Sequence, residues 1–406
     1  MRVGSNEELP QTSPGRVFTD ITNSERSLLL ALPLPHCPCQ SKTVSRPVSI
    51  ITLGLAVSLA ASLGISPAAA EIGLFPAQQN SANARTLVIY SALDLPLARP
   101  LIQAFQKANP DVAVRYEELL TGDIYQRVVE ETDAGKPTAD IAFSSAMDLQ
   151  VKLANDGYAQ EVDLPLSDSW PRWANWRNSA YAVTFEPAVF VYHKPTFEGV
   201  EPPATRGQFV DYIQKNPDKA QGRIATYDIE RSGVGFLFMS RDQEQFPEIW
   251  STIRLFGEAG IKLYSTSSAI LERVADGRAI LGYNILGSYA AEWAARHPTV
   301  GVVLPKDYTV VMSRIMLVPR AAANADLGRK YLEFSMSAEG QTIMARELHI
   351  AAVNPDVAGE NTASAMQSAI GGQLRPVPVS PSLMVYLDQV KRNRVITRWN
   401  QALRGQ

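Results

Sequence analysis

From Thr86 onward the apolar positions change period in blocks, from continuous runs to helical spacing and back. Thr86 to Tyr90 is a continuous apolar run, the pattern of a strand buried on both faces. After Ser91-Ala92-Leu93-Asp94 a helix opens near Pro96. Leu97, Leu101, Phe105 and Ala108 share its face, and Asn109-Pro110 stops it. Val112, Val114 and Tyr116 alternate as a second strand. Thr121-Gly122-Asp123 then opens a helix through Ile124 and Val128 that ends at Gly135-Lys136-Pro137. A third strand, Ile141 to Phe143, runs into Ser144-Ser145 and a helix with Met147, Val151 and Ala154 inward. Three strand–helix units in succession predict a parallel sheet with covering helices.

The middle of the chain has a different texture. Ala180 to His193 is a long β-prone segment broken at Glu186-Pro187, and it reads as a strand crossing between two lobes. A second α/β region follows, with a helix near Gln208 to Lys215 and a strand at Arg223 to Thr226. Arg231-Ser232-Gly233 precedes a helical stretch. A helix near Leu271 to Asp276 and a strand at Ala279 to Tyr283 come next, then strands at Val300 to Leu304 and Val310 to Val318, the second crossing back. Helices close the chain at Asp326 to Ser337, Ala338 to Arg346 and about Ser382 to Leu403.

Ahead of this pattern lies a stretch without charge. Pro47 to Ala70 carries no ionisable side chain, Lys42 and Arg46 precede it, and Glu71 follows. An apolar centre from Val48 to Leu63, a helix-breaking Gly64-Ile65-Ser66-Pro67 and the small residues Ala68-Ala69-Ala70 have the order of a secretory signal. The run is short and interrupted for a spanning helix, which wants roughly 20 strongly apolar residues. Cleavage is expected after Ala70, which exports the mature domain from the cytoplasm. Both cysteines, Cys37 and Cys39, fall in residues 1–70, so the mature chain is expected to carry neither disulfide nor thiolate-bound metal. The whole chain has 38 basic and 41 acidic residues, and no basic cluster stands out as a nucleic-acid footprint. The length beyond residue 70 exceeds a typical single core, so two lobes are expected.

The order of segments "QAFQKANPDVAVRY", "TADIAFSSAMDLQ", "ERSGVGFLF", "GYNILGSY" and "RKYLEFSMSAEGQ" resembles the periplasmic solute-binding proteins of ABC importers. Within them it is most similar to the branch of ferric-iron, phosphoglycerate, hexose-phosphate and aminoethylphosphonate binders. The likeness covers nearly all of Thr86 to Leu403. It implies an α/β fold of two lobes, the type II binding-protein fold, hinged on two crossing strands with the ligand enclosed between them. Lobe 1 is expected from 85–180 with 310–406 and lobe 2 from 181–309, after a leader and signal at 1–70. The resemblance narrows the exported domain's expected location to the periplasm, and it also implies an ABC permease in the inner membrane as partner, a monomeric working form and no cofactor.

Strand ends and helix starts in such a sheet gather anions, because first-turn N–H groups point at one spot. Three turns offer this together with hydroxyls: Ser91 to Asp94, Thr121-Gly122 and Ser144-Ser145. Ser, Thr and Asp are also ordinary helix caps. Arg231-Ser232-Gly233 adds a forked donor for phosphate or carboxylate, or else Arg231 pairs with Glu230 or Asp228 on the surface. Asn284 and Ser288 follow the second-lobe strand and suit hydroxyl or phosphate oxygens. Iron-binding relatives are expected to place an adjacent tyrosine pair here, whereas Tyr283 and Tyr289 are separated. Arg314 interrupts the apolar strand Val310 to Val318, so it either faces the cleft or reaches out at a sheet margin.

Enzyme chemistry finds no motif. His193, His297 and His349 lie in no HExxH, no serine occupies a G-x-S-x-G elbow, and no GK[ST] phosphate loop occurs. The resulting expectation is a binding protein for a small anionic solute, phosphorylated or phosphonate, with no catalytic or metal-ligating residues. The alternatives are a ferric-iron binder, a secreted hydrolase and a sensor subunit for a membrane kinase.

Overall fold

The computed structural model describes residues 71–79, 84–166, 170–370 and 373–406. The charge-free stretch, the expected cleavage point and both cysteines lie outside them. The chain begins with β1 (Glu71–Phe75), β2 (Arg85–Ser91), α1 (Leu95–Ala108), β3 (Val112–Glu118), α2 (Thr121–Asp133), β4 (Ile141–Ser144) and α3 (Met147–Asn155). β2 pairs in parallel with both β3 and β4, as three successive strand–helix units predict. β1 is a correction, because it lies in the segment read as a spacer yet pairs antiparallel with β3 at the sheet edge. Its inward positions are Gly73 and Phe75, while Ile72 and Leu74 face out, so the sequence shows no apolar alternation.

β5 (Asn175–Trp176) and β6 (Ala180–Ala182) remain with this first sheet, and β7 (Glu186–His193) belongs to a second. The second region continues with α4 (Arg206–Lys215), α5 (Pro217–Ala220), β8 (Ile224–Tyr227), α6 (Gly233–Gln245), α7 (Ile249–Glu258) and β9 (Lys262–Tyr264). It closes with α8 (Ser267–Ala275), β10 (Leu281–Leu286), α9 (Gly287–Arg296), β11 (Val300–Val303) and β12 (Thr309–Met312). β13 (Ile315–Leu317) returns to the first sheet. After α10 (Ala325–Met336), α11 (Ala338–Glu347) and α12 (Ala363–Ala369), β14 (Leu374–Pro376) joins β12, and α13 (Gln389–Leu403) ends the chain. The first sheet runs β1-β3-β2-β4-β13-β6-β5. The second runs β14-β12-β7-β10-β8-β9, with β11 also on β7.

The chain therefore passes between the sheets at residues 183–185 and at Ser313-Arg314, where the sequence predicts crossings, and a third time between β13 and β14, where it predicts none. The first two passages are tied together. Val183 N donates to Arg314 O at 3.0 Å, and Arg314 N donates to Thr184 Oγ1 at 2.7 Å.

Each sheet has its own apolar packing. Leu101, Ile102 and Phe105 of α1 lie on the first sheet, fully buried, and a side chain such as Phe105 contributes about 1.5–3 kcal/mol by leaving water. Behind the second sheet Phe190, Phe209 and Phe256 surround Tyr283, with ring centroids 5.4, 5.4 and 5.2 Å from it. The tail departs from expectation. Residues Pro381–Leu387 form a 3-10 turn against α3, and only from Gln389 does an α-helix run. That helix packs on α7 and buries Trp399 in the second core rather than lying with the first sheet.

Candidate functional site

Between the sheets the residues at the first two passages form a buried polar centre. Arg314 and Glu186 are 1% and 0% exposed, with Nε of one 3.1 Å from Oε1 of the other. That contact is an ion pair without hydrogen-bond alignment, since Nε has no hydrogen-bond partner. Nη1 of Arg314 donates to the carbonyl of Ala92, in the turn after β2, at 3.0 Å. Glu186 accepts from Thr184 Oγ1 at 2.8 Å and from Ser288 Oγ at the start of α9. One residue further, Tyr289 OH donates to Asp94, at the start of α1. The sequence left Arg314 open between the cleft and a sheet margin. It is neither loose nor marginal, but held inside by Glu186.

Burial works to lower the Arg314 pKa, but Glu186, Tyr289 and Asp94 together outweigh it and raise it, so the guanidinium stays charged. Burial also pushes the Tyr289 phenol well above its ordinary range, with Asp94 adding to the rise. Tyr289 is therefore a donor and not a phenolate.

The other expected residues divide into two groups. Ser91 and Ser144 turn inward, where their hydroxyls accept from Leu93 N at 3.1 Å and Ala146 N at 3.2 Å. Ser232 caps α6, accepting from Gly235 N at 3.2 Å. Ser145, Thr121, Gly122, Arg231 and Gly233 remain at least partly exposed. Two of these come together from opposite sheets: a side-chain carbon at Gly233 would lie 3.8 Å from Thr121 Oγ1. The starts of α2 and α6 thus face each other, each with first-turn N–H groups that a helix leaves unpaired. Arg231 is exposed beside them, and among the described residues its side chain makes no ion pair with Glu230 or Asp228.

Asn284 lies elsewhere than expected, inside the second core with φ +56°. Its Nδ2 donates to Asp242 at 2.6 Å, while its Oδ1 is buried without a partner. Asp242, fully buried on α6, also accepts from Arg206 Nη2 at 3.1 Å, Tyr283 OH at 2.7 Å and Tyr308 OH at 2.6 Å. The Tyr308 ring lies under the Arg206 guanidinium, 3.5 Å from centroid to Cζ. Asp307 gives Arg206 a second carboxylate at 3.1 Å. This cluster was not expected. Asp242 stands among Arg241, Gln243 and Glu244, so nothing in the local pattern marks it as buried. Glu186 had a signal that went unused, since it is a lone charge in an apolar stretch just as Arg314 is.

Among the described residues no group of three or more His, Cys, Asp or Glu could hold a metal ion. No helix among them is long and apolar enough to cross a membrane.

Residues 100–369 match the family of bacterial extracellular solute-binding proteins. A substrate-binding protein of an ABC transporter from Agrobacterium tumefaciens is 72% identical, over 83% of this chain and 100% of that one, with a TM-score of 0.79. The periplasmic binding protein AfuA from Actinobacillus pleuropneumoniae, with fructose-6-phosphate bound, shares the fold at 15% identity. It covers 79% of this chain and 99% of its own, with a TM-score of 0.64. A ferric binding protein from Campylobacter jejuni does so at 16% identity, 78% and 99% coverage and a TM-score of 0.60. No curated protein sequence matches the chain. The two-sheet α/β architecture is thus the two-lobed binding-protein fold, and the chain belongs to the bacterial extracellular solute-binding proteins, as the non-enzymatic substrate-binding protein of an ABC transporter.

Proposed function

We propose that the protein captures a small anionic solute, phosphorylated or phosphonate, outside the cytoplasmic membrane and hands it to an inner-membrane permease. The observation that carries this reading is the meeting of Thr121 and Gly233 from opposite sheets, at two helix starts, with Arg231 exposed beside them. Helix starts favour negative charge, and a guanidinium adds a forked donor. The separated tyrosines speak against ferric ion. Tyr283 and Tyr289 donate to Asp242 and Asp94, and burial raises both phenols, which opposes the phenolate form a ferric ion needs.

The division into lobes follows the passages. Lobe 1 is built on the first sheet and lobe 2 on the second, so β12, β14 and α13 move from lobe 1 to lobe 2, the strands by their pairing and α13 because Trp399 packs there. Export by a signal cleaved after Ala70 belongs to the same reading, as does a monomeric working form.

Native mass spectrometry of the purified protein, followed by a thermal-shift screen, tests the ligand class. The panel holds phosphoglycerates, hexose phosphates, phosphonates, polyamines and ferric salts. Stabilisation by one of the phosphorylated or phosphonate compounds is expected, and Arg231→Ala weakens its binding by about 1.5–3 kcal/mol. Stabilisation by ferric salts alone, with a phenolate-to-iron colour, overturns the anion reading. An affinity untouched by Arg231→Ala removes that residue from the site.

A further inference from the structure

An open groove of about 320 Å³ runs between α6 and α13, away from the residues at the passages. Phe236, Tyr386 and Val395 form its apolar floor, and Lys391, Arg394 and Arg398 are exposed along its rim. The last three sit at spacings of three and four on α13, hence on one helical face, spanning about 10 Å at 1.5 Å per residue.

α13 carries four cations, these three and Arg392, and no acid between Gln389 and Leu403. Among the described residues none of the four makes an ion pair. Arg392 lies over the Phe236 ring at 4.3 Å and donates to the Glu230 carbonyl, and Arg398 lies over Trp250 at 4.2 Å. Of the carboxylates nearby, Glu244 alone is paired with a cation, Glu230 and Asp388 accept from neutral groups, and Asp148 feels the charge of Arg392. Glu244 is held by Arg241 at 2.7 Å and by Tyr386, Glu230 by Asn400 at 2.6 Å, and Asp388 by the N–H of Lys391 at 2.9 Å. Ser240 Oγ, buried and without a hydrogen-bond partner, lines the same groove. A row of cations without an ion pair among the described residues, over an apolar floor and on a chain whose net charge is −3, suits an acidic partner.

We infer that this groove docks an extended acidic segment, with an apolar anchor, of the importer's membrane subunit. The row of about 10 Å matches the length of four residues of extended chain, three intervals of roughly 3.3 Å, and because side chains alternate between faces, two carboxylates two residues apart can face Lys391, Arg394 and Arg398. The position couples docking to the cleft. Arg392 and Asn400 of α13 hold Glu230, which adjoins the Arg231-Ser232-Gly233 turn. The helix on which the partner sits thus contacts the residue that adjoins the turn proposed to hold solute. The inference rests on membership of an ABC transporter and does not depend on which solute the cleft takes.

The test places a photo-cross-linking residue at Val385, which is 46% exposed and lines the groove, in the full chain in living cells. The expected result is a covalent adduct with the permease subunit, identified by mass spectrometry, that falls about ten-fold in Lys391→Glu/Arg394→Glu and declines with rising salt. Both substitutions are at exposed positions, and circular dichroism with a thermal melt confirms that the variant folds. Lys391→Gln/Arg394→Gln replaces it if it does not. No permease adduct at Val385, an adduct only with a second copy of this chain, or an adduct indifferent to the charge changes overturns the inference. Ligand-induced thermal shifts in the same variants are expected to match the parent protein, so a failure of docking is distinguished from a failure of solute binding.

Discussion

Arg314 Nε lies 3.1 Å from Glu186 Oε1, and each residue stands where the chain passes from one sheet to the other. The pair reaches both sides. Arg314 holds the Ala92 carbonyl of the first sheet's turn, while Glu186 holds Ser288 at the start of α9. Replacing Glu186 by Gln leaves the guanidinium buried without its counter-charge. We expect Glu186→Gln to lower the unfolding free energy by about 3–5 kcal/mol, and Glu186→Gln/Arg314→Met to recover much of the loss. Urea denaturation of the two variants checks this. A single variant as stable as the parent would mean that the pair does not hold the passages.

Asp242 is the second buried hub, and its four donors make its contribution non-additive. Burial, with the negative charge of Asp242, raises the phenols of Tyr283 and Tyr308, which keeps both as donors at working pH. Asp242→Asn leaves the buried Arg206 with Asp307 as its remaining carboxylate and is expected to cost about 1.5–3 kcal/mol, the scale of a hydrogen bond to a charged group. Tyr308→Phe removes one neutral donor and should cost about 1–2 kcal/mol. Combined, the two should cost less than their sum, with a coupling of about 0.5–3 kcal/mol. A double-mutant cycle by denaturant unfolding measures it, and strict additivity would contradict a shared network.

How legible these features are in the sequence depends on what each residue's neighbours reveal. β2, β3 and β4 are continuous or alternating apolar runs, so the first sheet can be read directly, and so can the first two crossings, because Glu186 and Arg314 interrupt apolar strands. β1 cannot be read, since its inward positions are Gly73 and Phe75 and its larger aliphatics face water. Asp242 is equally silent, because burial among polar helical neighbours is decided by Arg206, Tyr283 and Tyr308, distant in the chain. The turns that supply Thr121 and Gly233 are visible as helix starts. Their meeting is not, because it depends on how two sheets are placed and no local pattern encodes that. The hydroxyls of Ser91 and Ser144 look identical to Thr121 in sequence, yet they close back on their own turns.

Glu117 gives the chain a defined response to acid. Burial works to raise its pKa, but hydrogen bonds from Arg115 at 2.7 Å and Arg127 at 2.8 Å outweigh that and hold it below 4.5. The folded state thus releases this proton more readily than the unfolded chain does. Its stabilisation is complete above the unfolded value and is lost as pH falls through the lower, folded one. We expect the drop in urea midpoint between about pH 7 and about pH 3.5 to be smaller in Glu117→Gln than in the parent. Equal drops would show that Glu117 carries no part of the acid response.

The packing of the tail helix turns on a single missing side chain. A carbon added at Gly257 of α7 would lie 2.0 Å from the Leu403 carbonyl oxygen and 2.8 Å from its Cα, both backbone atoms. Neither can swing aside as a flexible side chain would, so the end of α13 must move. Moving it loosens Trp399, which is 3% exposed in the second core, and shifts the helix that bears the basic row. Gly257→Ala should gain slightly in helix propensity, by up to about 1 kcal/mol, yet lose about 1–3 kcal/mol to the backbone clash. The net expectation is a lower melting temperature with earlier exposure of Trp399. Because Trp250 and the other tryptophans also emit, the fluorescence is best read as the difference between Gly257→Ala and the same variant carrying Trp399→Phe. A melting temperature equal to or above the parent's would mean that α13 accommodates the added carbon, and that its seat on α7 does not depend on this close approach.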